Sequence, residues 1–362
     1  MDTQARIHEM KKVVLHLHLD GSLRPETVQE WLHEDGKDID LDLVKAKLMV
    51  ARDCKDLNQY LEKFDLPLLF LQSEEHIKRA TYELYEDLAK QNVVYGEVRF
   101  APSLHLQKGL TYEQIVEAAI AGMDEAKEKY GIDGGLILCC MRGDNNEQAN
   151  LDTIELAKKY LGKGVCAADL AGAEALFATK NFEEVFAKAK ELGVPFTIHA
   201  GEADGPESIK SALQFGATRI GHGVRCIEDK EVMQDLKDRK VLLEICPTSN
   251  FQTQAVTGKT DGSYPIEKIF RFGIPVGLNT DNDTVSNTDI EQEYAWVLSE
   301  TSLTTSNLIQ MNLDSIKAAF TTPGKKLAIA NQIVAEAKNI PNNATPSKNV
   351  TTTHDDTDHE NR

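Results

Sequence analysis

The segment that decides the fold of this chain is VVLHLHLDGS, residues 13–22. Its apolar, partly β-branched start and the glycine at position 21 predict a short buried strand followed by a turn. Alternate side chains of a strand share one face, so His16 and His18 point the same way. Two neutral imidazoles on one face are suited to hold a single cation, although two unrelated histidines give the same pattern. The rest of the chain decides between these two interpretations.

Seven further apolar runs follow this segment, and amphipathic helical stretches separate them. Together with residues 13–19, the predicted strands are 93–100, 135–140, 164–170, 194–199, 217–222, 240–246 and 274–280. The helical stretches between them lie near 111–130, 150–161, 181–192, 205–216, 228–239 and 264–272. Strands that alternate with helices pair in parallel through right-handed crossovers. A doubly wound open sheet shows the same alternation, but eight units over this length favour the α/β class with a closed (β/α)8 TIM barrel.

Helical segments outside this alternation predict additions to the barrel. Residues 26–92 contain no strand candidate, which predicts extra helices after the first strand, and helical patterns at 288–338 predict more at the C-terminus. Within the first group, residues 60–71 are unusually apolar and form either a core-packing helix or a flap over a pocket. We expect one domain over residues 1–339 and a disordered tail at 340–362, where Asn, Thr, Pro and Asp prevail.

Composition excludes some classes of partner. The net charge is −18, with 58 acidic against 40 basic residues, which argues against nucleic acid and anionic membranes as partners. No run approaches the roughly 20 apolar residues that span a bilayer, and the N-terminus is polar, so we expect a cytoplasmic protein. The six cysteines form no C-x-x-C pair, and we expect them to be reduced and mostly buried.

Histidines are concentrated where a barrel places its chemistry, at the C-terminal ends of the strands. Four of the ten histidines, His16, His18, His199 and His222, fall there, and so does Asp281. The other six lie in predicted helices, loops or the tail, where we expect solvated or capping histidines. The set His16, His18, His199 and Asp281 is suited to bind one divalent ion, with zinc the first choice for mixed nitrogen and oxygen ligands. Such an ion lowers the pKa of a bound water toward neutrality.

Two more residues at these strand ends have the chemistry of proton transfer. Glu202 lies three residues after His199 in a glycine-containing turn and is the best candidate for a general acid and base. Its alternative role is a carboxylate at the N-terminus of a helix. His222 is flanked by Gly221 and Gly223, which permit close approach of the backbone. It either orients the attacking water or serves as a fourth histidine ligand.

The order of these motifs along the chain resembles the adenosine deaminase family of the amidohydrolase superfamily, especially its bacterial members. The four main motifs are HLHLDGS at 16–22, HAGE at 199–202, RIGHG at 219–223 and NTD at 279–281. Three further motifs fit the same pattern: EVRFAP at 97–102, DLAG at 169–172 and CPTSN at 246–250. The resemblance covers roughly residues 10–335 and implies a (β/α)8 barrel with a metal-dependent deaminase site.

The resemblance implies a role for each residue of the metal site. His16, His18, His199 and Asp281 match the ligands of a single zinc ion per chain. Strand four carries no lysine of the kind that bridges two metals in binuclear relatives. Glu202 matches the group that protonates N1 of the purine. A further histidine, His222, matches the residue that orients the attacking water, and Asp281 also accepts a hydrogen bond from that water.

The resemblance also implies how substrate is bound. His18 and Asp20 lie at the substrate, and Asp20 matches the residue that contacts the ribose 5′-hydroxyl. Gly172 matches the glycine whose backbone N–H meets purine N3. Asn282 stands where well-known relatives have a second Asp that binds N7. An Asn amide is a ready donor to that acceptor, so this departure is compatible with a purine.

The implied activity is zinc-dependent hydrolytic deamination of adenosine and 2′-deoxyadenosine to inosine and 2′-deoxyinosine plus ammonia, a step of purine salvage. A first alternative keeps the site and changes the substrate to adenine or aminodeoxyfutalosine. A second is a catalytically idle barrel that acts as a binding module. The expected partner is a small purine nucleoside. The chain lacks the P-C-x-x-C motif of a different class of zinc deaminase, which excludes that class.

Overall fold

The computed structural model describes residues 2–51, 53–256 and 264–338, so the predicted tail at 340–362 lies outside the described residues. All eight predicted strands are present. They are β1 Lys12–His18, β2 Val93–Phe100, β3 Asp133–Met141, β4 Val165–Ala171, β5 Thr197–Ala200, β6 Arg219–His222, β7 Leu242–Ile245 and β8 Val276–Leu278. Their bounds lie within a few residues of the predicted ones, because period and β-branched content locate buried strands well.

The strands pair in parallel in chain order. They form two four-stranded sheets, β1-β2-β3-β4 and β5-β6-β7-β8. Single parallel bridges join the sheets at both edges, Ala168 with Phe196 and Leu17 with Asp281. This order, with both edges joined, is that of a (β/α)8 barrel, and the predicted fold class is confirmed.

Helices follow the strands, one helix lies before β1, and further helices follow β8. In chain order α1–α9 are Thr3–Glu9, Pro25–Glu34, Leu41–Leu48, Leu57–Leu61, Asp65–Phe70, Glu74–Lys90, Tyr112–Tyr130, Glu147–Tyr160 and Glu183–Leu192. The others, α10–α16, are Pro206–Phe215, Lys230–Asp238, Pro247–Gln252, Ile266–Phe272, Ile290–Glu300, Thr305–Ala318 and Pro323–Ala337. Four short 3-10 turns lie at Glu62–Phe64, Pro102–His105, Thr179–Phe182 and Val224–Glu228. The extra helices α2–α6 after β1 and α14–α16 at the C-terminal side are confirmed.

The core forms between the strands and the surrounding helices. Its largest continuous cluster draws apolar side chains from nearly every strand, including Val14, Val98, Leu138 and Ile198. All six cysteines are free, and five of them are buried. None of the described helices is long and apolar enough to cross a membrane.

Candidate metal centre and active site

The C-terminal ends of β1, β5, β6 and β8 bring five predicted site residues together. Ligand atoms of His16, His199, His222 and Asp281 all lie within 4.8 Å of one another. The fifth residue, His18, places its Nε2 3.1 Å from His199 Nε2 and 3.3 Å from Asp281 Oδ1. Both rings of the opening His-x-His segment face this cluster, which favours a shared site over two unrelated histidines.

The local backbone explains how two of these side chains turn inward. His222 and Asp281 each adopt left-handed backbone, with φ of 62° and 66°. Non-glycine residues rarely take this conformation, and it is concentrated at functional sites, where the surrounding structure compensates its cost. Asp281 also bridges to β1 through Leu17, and His18 N–H donates to the Asp281 carbonyl at 2.8 Å. The strand ends are therefore fixed to one another directly at the site.

Protein groups outside the cluster fix the proton on His16. Its Nδ1 lies 2.9 Å from Glu244 Oε2, so the ring donates through Nδ1 to a carboxylate. When the ring is neutral, its Nε2 presents a lone pair 3.1 Å from Asp281 Oδ1. The other oxygen of Asp281 accepts a 2.7 Å hydrogen bond from Ser249. Two acceptors that face each other at this distance inside a protein are stabilised by a shared cation.

A second histidine of the cluster, His199, also has a carboxylate beside its Nδ1. Its Nδ1 lies 2.9 Å from Asp169 Oδ2, though out of line for a good hydrogen bond. Burial, only partly opposed by the charge of Asp169, lowers the pKa of His199 to about 4. The ring is therefore neutral at pH 7, as a metal ligand must be. For Asp281, burial opposes the charge, but hydrogen bonds from His16 and His18 prevail and hold its pKa well below the usual range.

A buried network of charges supports these groups from beneath. Arg99 donates to Asp169 and to Glu244, at 2.9 Å each. Arg219 donates to Glu244 at 2.7 Å and to Glu97 at 2.6 Å. All five side chains of this network are fully buried. Asp169 and Glu244, the carboxylates beside Nδ1 of His199 and His16, are thus each held by a guanidinium, which keeps them ionised and in place.

The donor set fits a divalent ion. Nitrogen and oxygen atoms that bind one zinc at about 2.0–2.1 Å lie about 3–3.5 Å from one another. The separations between His16 and Asp281, His18 and Asp281, and His18 and His199 are 3.1, 3.3 and 3.1 Å. Imidazoles, an ionised carboxylate and carboxylate support of the ring nitrogens are the chemistry of a metal site. The cluster supports a metal cofactor.

His222 differs from the other histidines in its tautomer. Asn250 Nδ2 donates to His222 Nδ1 at 2.9 Å, and the Tyr264 hydroxyl donates to Asn250 Oδ1 at 3.0 Å, which orients the amide. Burial lowers the pKa of His222 well below its usual value, so the ring is neutral. A neutral ring that accepts at Nδ1 carries its proton on Nε2. That Nε2 lies 3.3 Å from Glu202 Oε2 and faces the site as a donor.

Glu202 lies in the turn that follows β5 and is 3% exposed. Burial, followed by the charges of Asp281 and Glu174, raises the pKa of Glu202 well above its usual value. Thr253 donates to Glu202 Oε1 at 3.1 Å. The turn itself contains Gly201 at φ 73°, where an added Cβ would lie 2.5 Å from Ile209. A buried carboxyl whose pKa is raised toward neutrality is suited to act as a general acid.

A pocket opens above the cluster, with an apolar upper wall and a polar base. The apolar wall includes Leu57, Tyr60, Leu61, Phe64, Leu68, Leu104 and Met141. Part of it comes from the segment 60–71, so the flap interpretation fits these residues. The base carries Asp20, Gly172, His199, Glu202, His222, Asp281 and Asn282. No lysine or arginine lines this pocket in the described part of the chain. Such a pocket is suited to a flat, neutral ligand with a few polar edges.

The four residues predicted to bind substrate, His18, Asp20, Gly172 and Asn282, all line this pocket. Asp20 is buried, and its Oδ1 has no partner among the described residues. Gly172 has φ 107°, a conformation that leaves its backbone free to approach a ligand closely. Asn282 donates to the Tyr60 hydroxyl at 3.0 Å, and the hydroxyl also contacts Ser286 at 2.6 Å.

One expectation about the remaining histidines was wrong. His105 is fully buried, and its Nδ1 contacts the Leu71 carbonyl at 2.7 Å. Its ring also packs edge-on against Phe100. Supporting residues such as Glu174, Glu244 and Asn250 were not singled out from the sequence as functional. The CPTSN motif contains Ser249 and Asn250 and could have indicated them. None of the motifs named above contains Glu174 or Glu244.

Comparison with known proteins agrees with this geometry. The family model described as adenosine deaminase matches residues 11–336. An adenosine deaminase of Haemophilus ducreyi is 47% identical over 322 residues, which cover 87% of this chain and 93% of that protein. An adenosine deaminase of Clostridium perfringens is 41% identical over 315 residues, or 86% and 94% of the two chains. Arabidopsis ADAL complexed with IMP has a TM-score of 0.82 and 26% identity, with coverage of 92% and 99%. The chain belongs to the adenosine deaminase family.

Proposed function

We propose that this protein catalyses zinc-dependent hydrolytic deamination of adenosine and 2′-deoxyadenosine, yielding inosine or 2′-deoxyinosine and ammonia. The observation that carries the proposal is a buried carboxyl, Glu202, beside a histidine and aspartate cluster at the base of one pocket; burial raises the pKa of this carboxyl. Relatives named adenosine deaminase at 41–47% identity support the substrate. We place the enzyme in the cytoplasm, in purine salvage.

We assign His16, His18, His199 and Asp281 as ligands of one zinc ion per chain. The tautomer of His222 supports its exclusion from this set, because a ring nitrogen that carries a proton has no lone pair for a metal. His222 then donates from Nε2 toward the site. The choice of zinc rests on the mixture of imidazole and carboxylate donors.

Three side chains of the site, those of Asp281, His222 and Glu202, would orient the water and transfer the protons. A bound zinc ion supplies a site where water loses a proton near neutral pH. Asp281 and His222 orient the attacking water toward C6 of the purine. Glu202 delivers its proton to N1, which removes the negative charge that attack would otherwise place on the ring. The same carboxylate then passes one proton of the water to the leaving amino group and recovers the other, so water and adenosine become inosine and ammonia and the acid is restored.

Asp20, Gly172 and Asn282 would bind the sugar and the base. We assign Asp20 to the 5′-hydroxyl, the backbone N–H of Gly172 to N3 and Asn282 to N7. A structurally similar protein, Arabidopsis ADAL, is complexed with IMP, which carries a 5′-phosphate. Asp20 and Asp65 line the pocket, which has no lysine or arginine among the residues that the structure describes. A 5′-phosphate would meet carboxylates without a cation, so we propose nucleosides rather than nucleotides as substrates.

A substrate panel tests this function. We expect adenosine and 2′-deoxyadenosine to show the ultraviolet change of deamination, while AMP, adenine and aminodeoxyfutalosine react at least about 100-fold more slowly, the loss that follows when a buried polar group is left unpaired. Equal turnover of adenine would remove the assignment of Asp20, and absence of turnover with zinc bound would refute the function.

Asp20→Ala should weaken selection for the 5′-hydroxyl. We expect kcat/KM for adenosine to fall about 10–100-fold, the effect of a lost hydrogen bond to a charged group. The variant should treat adenosine and 5′-deoxyadenosine nearly alike, whereas the wild type prefers adenosine. Asp65→Asn is the matched control, since this exposed carboxylate also lines the pocket. A preference that survives in Asp20→Ala would show that another group contacts the hydroxyl.

A further inference from the structure

A buried carboxylate outside the pocket holds the turn that carries Glu202. Glu174 is 1% exposed and does not line the pocket. Its Oε1 accepts from the backbone N–H of Gly201 at 2.7 Å and from the Ser208 hydroxyl at 2.6 Å. Its Oε2 accepts from the N–H groups of Glu202 at 3.0 Å and Ala203 at 2.8 Å. Three consecutive amides of the turn therefore converge on one side chain.

A cation, Arg142, holds the end of β5 just before this turn. Arg142 is 5% exposed and donates to the His199 carbonyl at 2.6 Å, to Thr179 and to the Phe177 carbonyl. The three amides that follow β5 thus donate to the Glu174 carboxylate. The His199 carbonyl, near the end of β5, accepts from the Arg142 guanidinium. Charge-assisted hydrogen bonds of this kind are the strongest available to a backbone. The turn is fixed by charges on both sides.

We propose that Glu174 is a positioning residue of the deamination reaction, which holds the Glu202 carboxyl where it meets the substrate. The proposal rests on the proposed function, because it concerns the acid that this reaction uses. Glu174 contacts the backbone of Glu202 and neither its carboxyl nor any predicted metal ligand. Its loss should therefore affect proton delivery more than metal or substrate binding.

The size of the effect follows from the geometry. A displacement of about 1 Å at a reacting group can cost about 100-fold in rate. In Glu174→Gln the amide carbonyl can still accept from Glu202 and Ala203. The amide nitrogen must then face the N–H of Gly201, so two donors oppose each other where a 2.7 Å bond existed. The turn must shift to relieve this contact.

The test compares Glu174→Gln with wild type and with Glu184→Gln, a matched change of an exposed glutamate on α9. We expect Glu174→Gln to lower kcat for adenosine about 10–100-fold, with KM within about threefold and unchanged zinc content. Glu184→Gln should match wild type. Hydrogen exchange of the amides at 201–203 should speed up in Glu174→Gln alone, whichever substrate the enzyme uses.

Three results would overturn the proposal. They are an unchanged kcat, a rise in KM as large as the fall in kcat, and unchanged exchange at 201–203. If Glu174→Gln does not fold, Ser208→Ala removes one of the four bonds and should lower kcat about two- to fivefold, as expected for a lost bond of about 0.5–1 kcal/mol. Wild-type protein that holds zinc but does not deaminate adenosine refutes the proposed function instead, and exchange still tests whether Glu174 holds the turn.

Discussion

Glu202→Gln is expected to lower kcat for adenosine by about 10²–10⁴-fold while the protein keeps its zinc, because general acid and base catalysis supplies a factor of this size. Glutamine has nearly the shape of the carboxyl and can still accept from Thr253, so the pocket should be preserved. It cannot deliver a proton to N1. Substrate should therefore still bind, and KM should change little.

The measurement is ultraviolet absorbance of adenosine conversion together with zinc analysis of the same sample. Thr253→Val is the matched control, since it removes a neighbour of the carboxyl but leaves the acid, and it should cost far less. Because burial raises the pKa of Glu202, the wild-type rate should fall as pH rises through that pKa, and Glu202→Gln should lack this decline. High activity in Glu202→Gln would show that another group protonates the ring.

Removal of the metal is the second large effect that we expect. Chelation should reduce activity to below about 1%, because the ion supplies several kcal/mol toward the transition state. One equivalent of zinc per chain should restore it. His16→Ala should prevent this recovery, since it removes a proposed ligand at the base of the cluster.

The control for that variant is His33→Ala, which replaces an exposed histidine at the end of α2. It should bind zinc and react like wild type. Full activity after metal removal, or normal zinc content in His16→Ala, would contradict the assigned ligand set. Two equivalents of zinc per chain would contradict a single-metal site.

Much of the fold and of the site could be predicted from sequence because the relevant signals are local. Each barrel strand is a short apolar run bounded by turns, and parallel strands all end at one face of the barrel. His16, His199 and Asp281 could therefore be grouped without coordinates, although 265 residues separate the first from the last. The roles of Asp20, Gly172 and Asn282 came from resemblance, and their position in the pocket agrees with it.

What could not be predicted depends on which residues meet across the barrel. Glu174 and Glu244 are glutamates among many, and only three-dimensional contacts show one under a turn and the other under His16. The tautomer of His222 likewise depends on Asn250, which lies in α12, the helix after β7. His105 was misjudged because a histidine in a loop is usually solvated, whereas here the helices after β1 cover it.

The buried network of Arg99, Arg219 and their three carboxylate partners affects how the protein folds before a metal binds. These five side chains form charge-assisted hydrogen bonds with one another without an ion. The rings of His16 and His199 are therefore already placed when the chain finishes folding. Unlike small zinc domains, which are unfolded without metal, this protein should persist as a folded precursor during zinc scarcity and become active as soon as the ion is supplied.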